Sequence, residues 1–138
     1  MVRRSPTAIA GMLLVGGMIL YYVTTLFHPG HDPNNHAKVF AEYAADSGWK
    51  AVHFGQFTAG LIAIAGFIVL YRVLARSGEI DTLARFAVSG ALALVASLAI
   101  LQAVDGVALK EAVDAWAEAP AAEKADAFRN AELVRWTE

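Results

Sequence analysis

Residues 52–74 read VHFGQFTAGLIAIAGFIVLYRVL, an apolar run with no formally charged side chain before Arg72. An α-helix rises about 1.5 Å per residue, so about twenty apolar residues cross a hydrocarbon core about 30 Å thick. This run is long enough to do so, and the chain holds two more: Ala8–Phe27, AIAGMLLVGGMILYYVTTLF, and Phe86–Val104, FAVSGALALVASLAILQAV. In lipid every backbone polar group must be satisfied within its own segment, and the alternating pattern of a barrel strand is absent, so each run is expected to be a helix. The fold class that follows is all-α, a helical transmembrane bundle of three spans.

Composition agrees. Hydrophobic residues make up 57% of the 138-residue chain, above the roughly 45–50% of an ordinary soluble domain. The formal net charge is only -2, and the basic residues are scattered singly, which leaves no stripe to follow a nucleic-acid backbone. The partners expected are the lipid bilayer and further transmembrane helices, and nucleic acid is set aside. With no cysteine, disulfides, thiolate metal sites and thiol nucleophiles are all excluded. Arg3 and Arg4 ahead of the first run resemble the start of a signal peptide. The apolar core exceeds the about 7–15 residues of a signal sequence, however, and no small-x-small cleavage site follows at Thr25-Leu26-Phe27-His28-Pro29, so it reads as a retained span.

Lys and Arg gather on short cytoplasmic flanks. Arg3, Arg4, Arg72, Arg76 and Arg85 fall on one side of the three runs, whereas residues 28–50 carry only Lys38 and Lys50. The expected placement is a cell membrane, crossed several times, with the N-terminus cytoplasmic and both the 28–50 loop and the C-terminal tail outside. Tyr21, Tyr22 and Trp49 would then mark the outer interface and Tyr71 the inner one.

Short amphipathic helices are expected between and after the spans. Asp32-Pro33 reads as an N-cap followed by proline at the first helical position, and His36, Val39, Phe40 and Tyr43 recur on one face, predicting a helix over about 33–46. Leu109, Val113 and Trp116 predict another over about 107–118. Beyond Pro120, Ala125, Phe128 and Ala131 predict a third over about 121–136. The whole of 1–138 reads as one membrane domain. Trp136, near the end, resembles the interfacial residue before a further span, which predicts the N-terminal part of a larger bundle.

The unusual polar groups share one depth. His28 closes the first span, His53 and Gln56 lie one turn apart at the outer start of the second, and Gln102 and Asp105 lie likewise at the outer end of the third. Groups of this kind usually face a bundle interior or a wet cavity, because they are costly against lipid. The reading is a cluster of His53, Gln56, Gln102, Asp105 and His28 that takes a small ligand, ion or proton, with a hydrogen bond between His53 and Asp105. The blander alternative makes Asp105 the cap of a helix starting at Gly106, and His53 with Gln56 mere interhelical bonds. A second constellation, His28, His31, Asp32 and His36, offers imidazole and carboxylate to a divalent metal such as zinc, copper or iron, although its spacing fits no standard motif. A haem between axial histidines is a further cofactor reading, with only His53 inside a span. Small-residue strips, Gly55-Ala59-Ala63 and Ser89-Ala93-Ser97, predict close helix packing. No phosphate loop, nucleophile elbow or paired acidic motif is present, so the leading reading is a non-enzymatic membrane protein, with a redox or metal-binding protein and a structural or accessory subunit as the alternatives.

The run His28-Pro29 through Asp32-Pro33-Asn34-Asn35-His36, then Val39-Phe40-Ala41-Glu42-Tyr43-Ala44 and His53, Gly55, Gln56, Phe57, resembles a group of uncharacterised bacterial multi-pass membrane proteins. Val104–Lys110 and Ala112–Trp116 are similar too. The resemblance covers most of the chain. It implies a longer parent with further spans, and it implies no activity, cofactor or catalytic residue.

Overall fold

The computed structural model describes residues 5–30, 34–75 and 81–137. The described residues are helical throughout, apart from turns, and contain no strand. In chain order the elements are α1 (Pro6–Thr25), α2 (His36–Ala45), α3 (Trp49–Leu74) and α4 (Asp81–Ala103). A π-helical turn (Val104–Leu109) then leads into α5 (Lys110–Glu118) and α6 (Lys124–Arg135). The fold is all-α, and three of its helices are long and apolar enough to cross a membrane. Arg3, Arg4 and Arg76, on which part of the orientation reading rests, lie outside the described residues, as do His31 and Asp32.

Contacts group the chain into two compact units, Met1–Val23 with Gly55–Ala99, and Thr24–Phe54 with Ile100–Glu138. The first is built from the apolar helices. Most of its buried positions are small residues, Ala10 and Gly17 on α1, Ala59, Ala63 and Gly66 on α3, and Ala84 and Ala91 on α4, with Gln56 and Ile64 of α3 the larger ones. Large apolar side chains such as Val15, Met18, Ile19, Phe86 and Leu92 point outward instead. In water that distribution would leave a large apolar surface uncovered, whereas in lipid it lets the backbones approach while the bulky groups meet acyl chains.

The α1–α3 contact is reciprocal. A Cβ on Gly17 would lie 2.6 Å from the Ala63 nitrogen and 2.9 Å from the Ala59 carbonyl oxygen, and one on Gly66 would lie 2.6 Å from the Leu14 nitrogen. Each helix therefore seats a glycine directly on the other's backbone. Ala59 and Ala63 of the expected strip on α3 lie in this contact. The expected strip on α4 does not behave this way: Ser89, Ala93 and Ser97 are exposed, and Ala84 and Ala91 are buried in their place.

The second unit has an ordinary hydrophobic core. Val39, Phe40 and Tyr43 of α2, Trp49 at the start of α3, Leu109 at the end of the π turn, Val113 of α5 and Ala131 of α6 are all buried together, with Trp116, Phe128 and Val134 packed against them. These residues recur at helical spacing because each short helix buries one stripe and wets the other. Apolar burial of this kind contributes about 1.5–3 kcal/mol for each large side chain. Polar bonds fix the helix ends. Asn35 caps α2 through a bond from the Lys38 N–H, so the helix starts at His36, later than the Asp32-Pro33 reading places it. The Lys110 ammonium closes the other end by donating to the Ala44 carbonyl and to Asp114. His36 Nδ1 lies 2.9 Å from Glu132 Oε1, which ties α2 to α6.

Candidate functional site

Within the second unit, the α4–π–α5 run is continuous. The chain does not break at Asp105-Gly106, and no side chain caps the π turn. The expectation that Asp105 caps a new helix is therefore corrected: a continuing helix has no free N–H groups there to cap. The Asp105 carboxylate is left to point elsewhere. π turns insert an extra residue and are frequent at functional sites. Here the turn carries Asp105 and Gly106 up to the first turns of α3.

His53 meets them. It is 2% exposed, and its Nε2 lies 3.1 Å from Asp105 Oδ2, the contact expected from matched depth. The approach depends on Gly106, since a Cβ there would stand 2.7 Å from His53 Cβ and 2.9 Å from Cγ. Those atoms are next to the α3 backbone and cannot swing aside. On the far side of the ring, His53 Nδ1 donates to the Trp49 carbonyl at 2.9 Å, a partner that can only accept. The Nδ1 proton is thereby assigned, and the lone pair of a neutral His53 falls on Nε2, facing the carboxylate.

His28 completes the group. Its Nδ1 donates to the Pro29 carbonyl at 2.8 Å, which places its own lone pair on Nε2 as well. A ring nitrogen of His28, one of His53 and a carboxylate oxygen of Asp105 all lie within 4.8 Å of one another. The His28 and His53 rings are edge to face with centroids 5.1 Å apart, and the Trp49 ring lies against both, at 4.8 Å from His28 and 4.4 Å from His53. Tyr43 stacks behind Trp49 at 4.1 Å. A haem held between the two histidines would have to separate rings already in contact, so the spacing suits a single ion better than a macrocycle.

The electrostatics are unbalanced. Asp105 Oδ1 is buried and has no hydrogen-bond partner among the described residues. A buried carboxylate oxygen left unpaired costs free energy, and an imidazole whose proton is already committed on its other side cannot repair the deficit by itself. Such an arrangement holds more acceptors than donors.

The sequence-derived groups divide as follows. His28, His53 and Asp105 converge. Gln102 lies one turn before Asp105, half-buried, with Oε1 lacking a hydrogen-bond partner among the described residues. Gln56 is buried and belongs to the unit formed by the apolar helices. Of the second constellation, His36 is engaged with Glu132 and stacks on Phe40, and His31 and Asp32 lie outside the described residues. Two further residues, Trp49 and Gly106, shape the site. Trp49, expected at the lipid interface, is 1% exposed, and its indole N–H donates to the Asp105 carbonyl at 3.1 Å. Its place four residues before His53 puts both on one helical face, which was the available clue. Gly106 is marked only by following Asp105.

Comparison with known protein families, curated proteins and solved structures gives no match to this chain.

Proposed function

We propose that this chain is a multi-pass integral membrane protein, N-terminus cytoplasmic, that binds a small cation at His28, His53 and Asp105 on the outer side of the membrane. The observation that carries the reading is the buried His53 ring held between two oxygen acceptors, with the second oxygen of Asp105 unpaired beside it. The apolar helices support the membrane setting, and the distribution of Lys and Arg supports the orientation. The polar run from His28 to Ala44 supports kinship with the bacterial membrane proteins that it resembles, and in this reading the run supplies one arm of the site.

A coupled site has a thermodynamic signature. Stability of the detergent-solubilised chain is measured for His53→Ala, Asp105→Asn and the double variant, after treatment with a chelator. Each single change is expected to cost about 1–3 kcal/mol, because in the metal-free chain a proton between His53 Nε2 and Asp105 Oδ2 joins the pair and either change strands the other partner. The double variant is expected to fall short of their sum by about 1 kcal/mol or more. Additive losses would remove the pair, and with it the basis for the site.

A further inference from the structure

We infer that the cation is a divalent transition metal of the borderline class, such as zinc, ligated by Nε2 of His28, Nε2 of His53 and the carboxylate of Asp105. This rests on the cation-binding reading above and adds the ligand's identity. Metal-binding histidines nearly always donate their second ring N–H to a carbonyl or carboxylate, which fixes the tautomer and turns the lone pair toward the metal. Both histidines do this, His28 to the Pro29 carbonyl and His53 to the Trp49 carbonyl. One such bond is common in any fold. Two, on histidines from different segments whose ring nitrogens meet at one carboxylate, form the outer frame of a metal site.

The distances fit. Donors around a tetrahedral zinc ion, at about 2.0–2.1 Å from the metal, stand about 3.3 Å from one another. His53 Nε2 and Asp105 Oδ2 already lie 3.1 Å apart, and the full triad lies within 4.8 Å. A nitrogen of the His28 ring thus stands within about 1.5 Å of a ligand's spacing from the pair, on a half-buried side chain in the turn that follows α1.

The chemistry narrows the class. Two imidazoles and one carboxylate, in a chain without cysteine, suit zinc, cobalt, nickel, copper(II) or iron(II). Calcium and magnesium ask for oxygen ligands, and copper(I) for sulfur. An organic cation needs a pocket, whereas these rings touch one another and Trp49. A shared proton would serve His53 and Asp105 alone and give His28 no part. A metal uses all three groups.

The test uses the full chain, purified in detergent without a histidine tag and stripped with a chelator. Zinc is measured by elemental analysis after gel filtration, and cobalt by its visible absorption during titration. One equivalent per chain is expected. His28→Gln and Asp105→Asn should each weaken binding by about tenfold or more, and His36→Gln should leave it unchanged. His28 lies in a turn and is only half-buried, so its variant keeps the test sharp even if Asp105→Asn fails to fold; far-UV circular dichroism checks both. No stoichiometric metal in the wild-type chain, or unchanged affinity in His28→Gln, would overturn the assignment. Coupling of His53 with Asp105 in the absence of metal uptake would overturn the metal alone; loss of both would overturn the site.

Discussion

Trp49 separates two accounts of this protein, and replacing it decides between them. A tryptophan at the lipid interface is worth little to folding, whereas Trp49 here is 1% exposed, stacks on Tyr43, His28 and His53, and donates to the Asp105 carbonyl. Trp49→Phe keeps most of the ring and removes the donor. The expected cost is about 1 kcal/mol, the net worth of one hydrogen bond. Trp49→Ala also empties the space between the aromatic rings and loosens the carbonyl that holds His53, and large-to-small changes at such sites cost about 3–5 kcal/mol. Unfolding in detergent, followed by near-UV circular dichroism, reads both variants. The expected order is wild type, then Phe, then Ala, with the Ala step the larger. If Trp49→Ala stays within about 0.5 kcal/mol of wild type, the range of a typical surface change, then Trp49 is interfacial and the frame around His53 is misassigned.

Two further outcomes follow from contacts outside the site. Gly17→Ala should destabilise the chain by about 1–3 kcal/mol, because its Cβ would meet the α3 backbone, whereas Gly16→Ala, with open space at that position, should be neutral or gain up to about 1 kcal/mol; detergent unfolding of the pair checks this. Glu111 ionises below its ordinary value of 4.5, first because Lys50 bonds its carboxylate and then because of the Lys50 charge, with Lys110 adding a little against slight desolvation. A depressed carboxylate contributes stability above its unfolded pKa and loses it as pH falls through the folded value, so any contribution should vanish only below about pH 4.5. An NMR titration in which Lys50→Met leaves Glu111 unmoved would contradict the assignment.

The fold was legible where one physical requirement dominates. Span length and apolarity mark the three long helices because no other backbone form survives in lipid. Val39, Phe40 and Tyr43, or Leu109 and Val113, mark buried stripes because a helix in water must hide one face. Legibility failed where two requirements share a residue type. Tryptophan suits an interface and a core equally, and only its place one turn before His53 favours the core for Trp49. Aspartate before glycine suits a helix start, and it equally suits a π turn docked on a neighbouring ring. Asp32 and Asn35 both make good caps, and Asn35 takes the role because the helix that it starts already carries the whole stripe from His36 to Tyr43.

The same ambiguity explains why the site was visible only in part. His53 and Asp105 could be paired from matched depth alone, since a polar group near the hydrocarbon has few places to go. His28 joins them by the same argument, since it closes the first span, but spacing alone does not separate it from His31 and His36 as a metal ligand. The structure commits His36 to Glu132 and brings His28 to His53. What selects His28 is its tautomer, fixed by the adjacent Pro29 carbonyl, and what admits His53 is the missing side chain at Gly106. Both are backbone features at a helix end or a helix irregularity. A site assembled this way depends on the turns that aim its ligands as well as on the ligands themselves, so a side chain at Gly106 should disturb it although no ligand is changed.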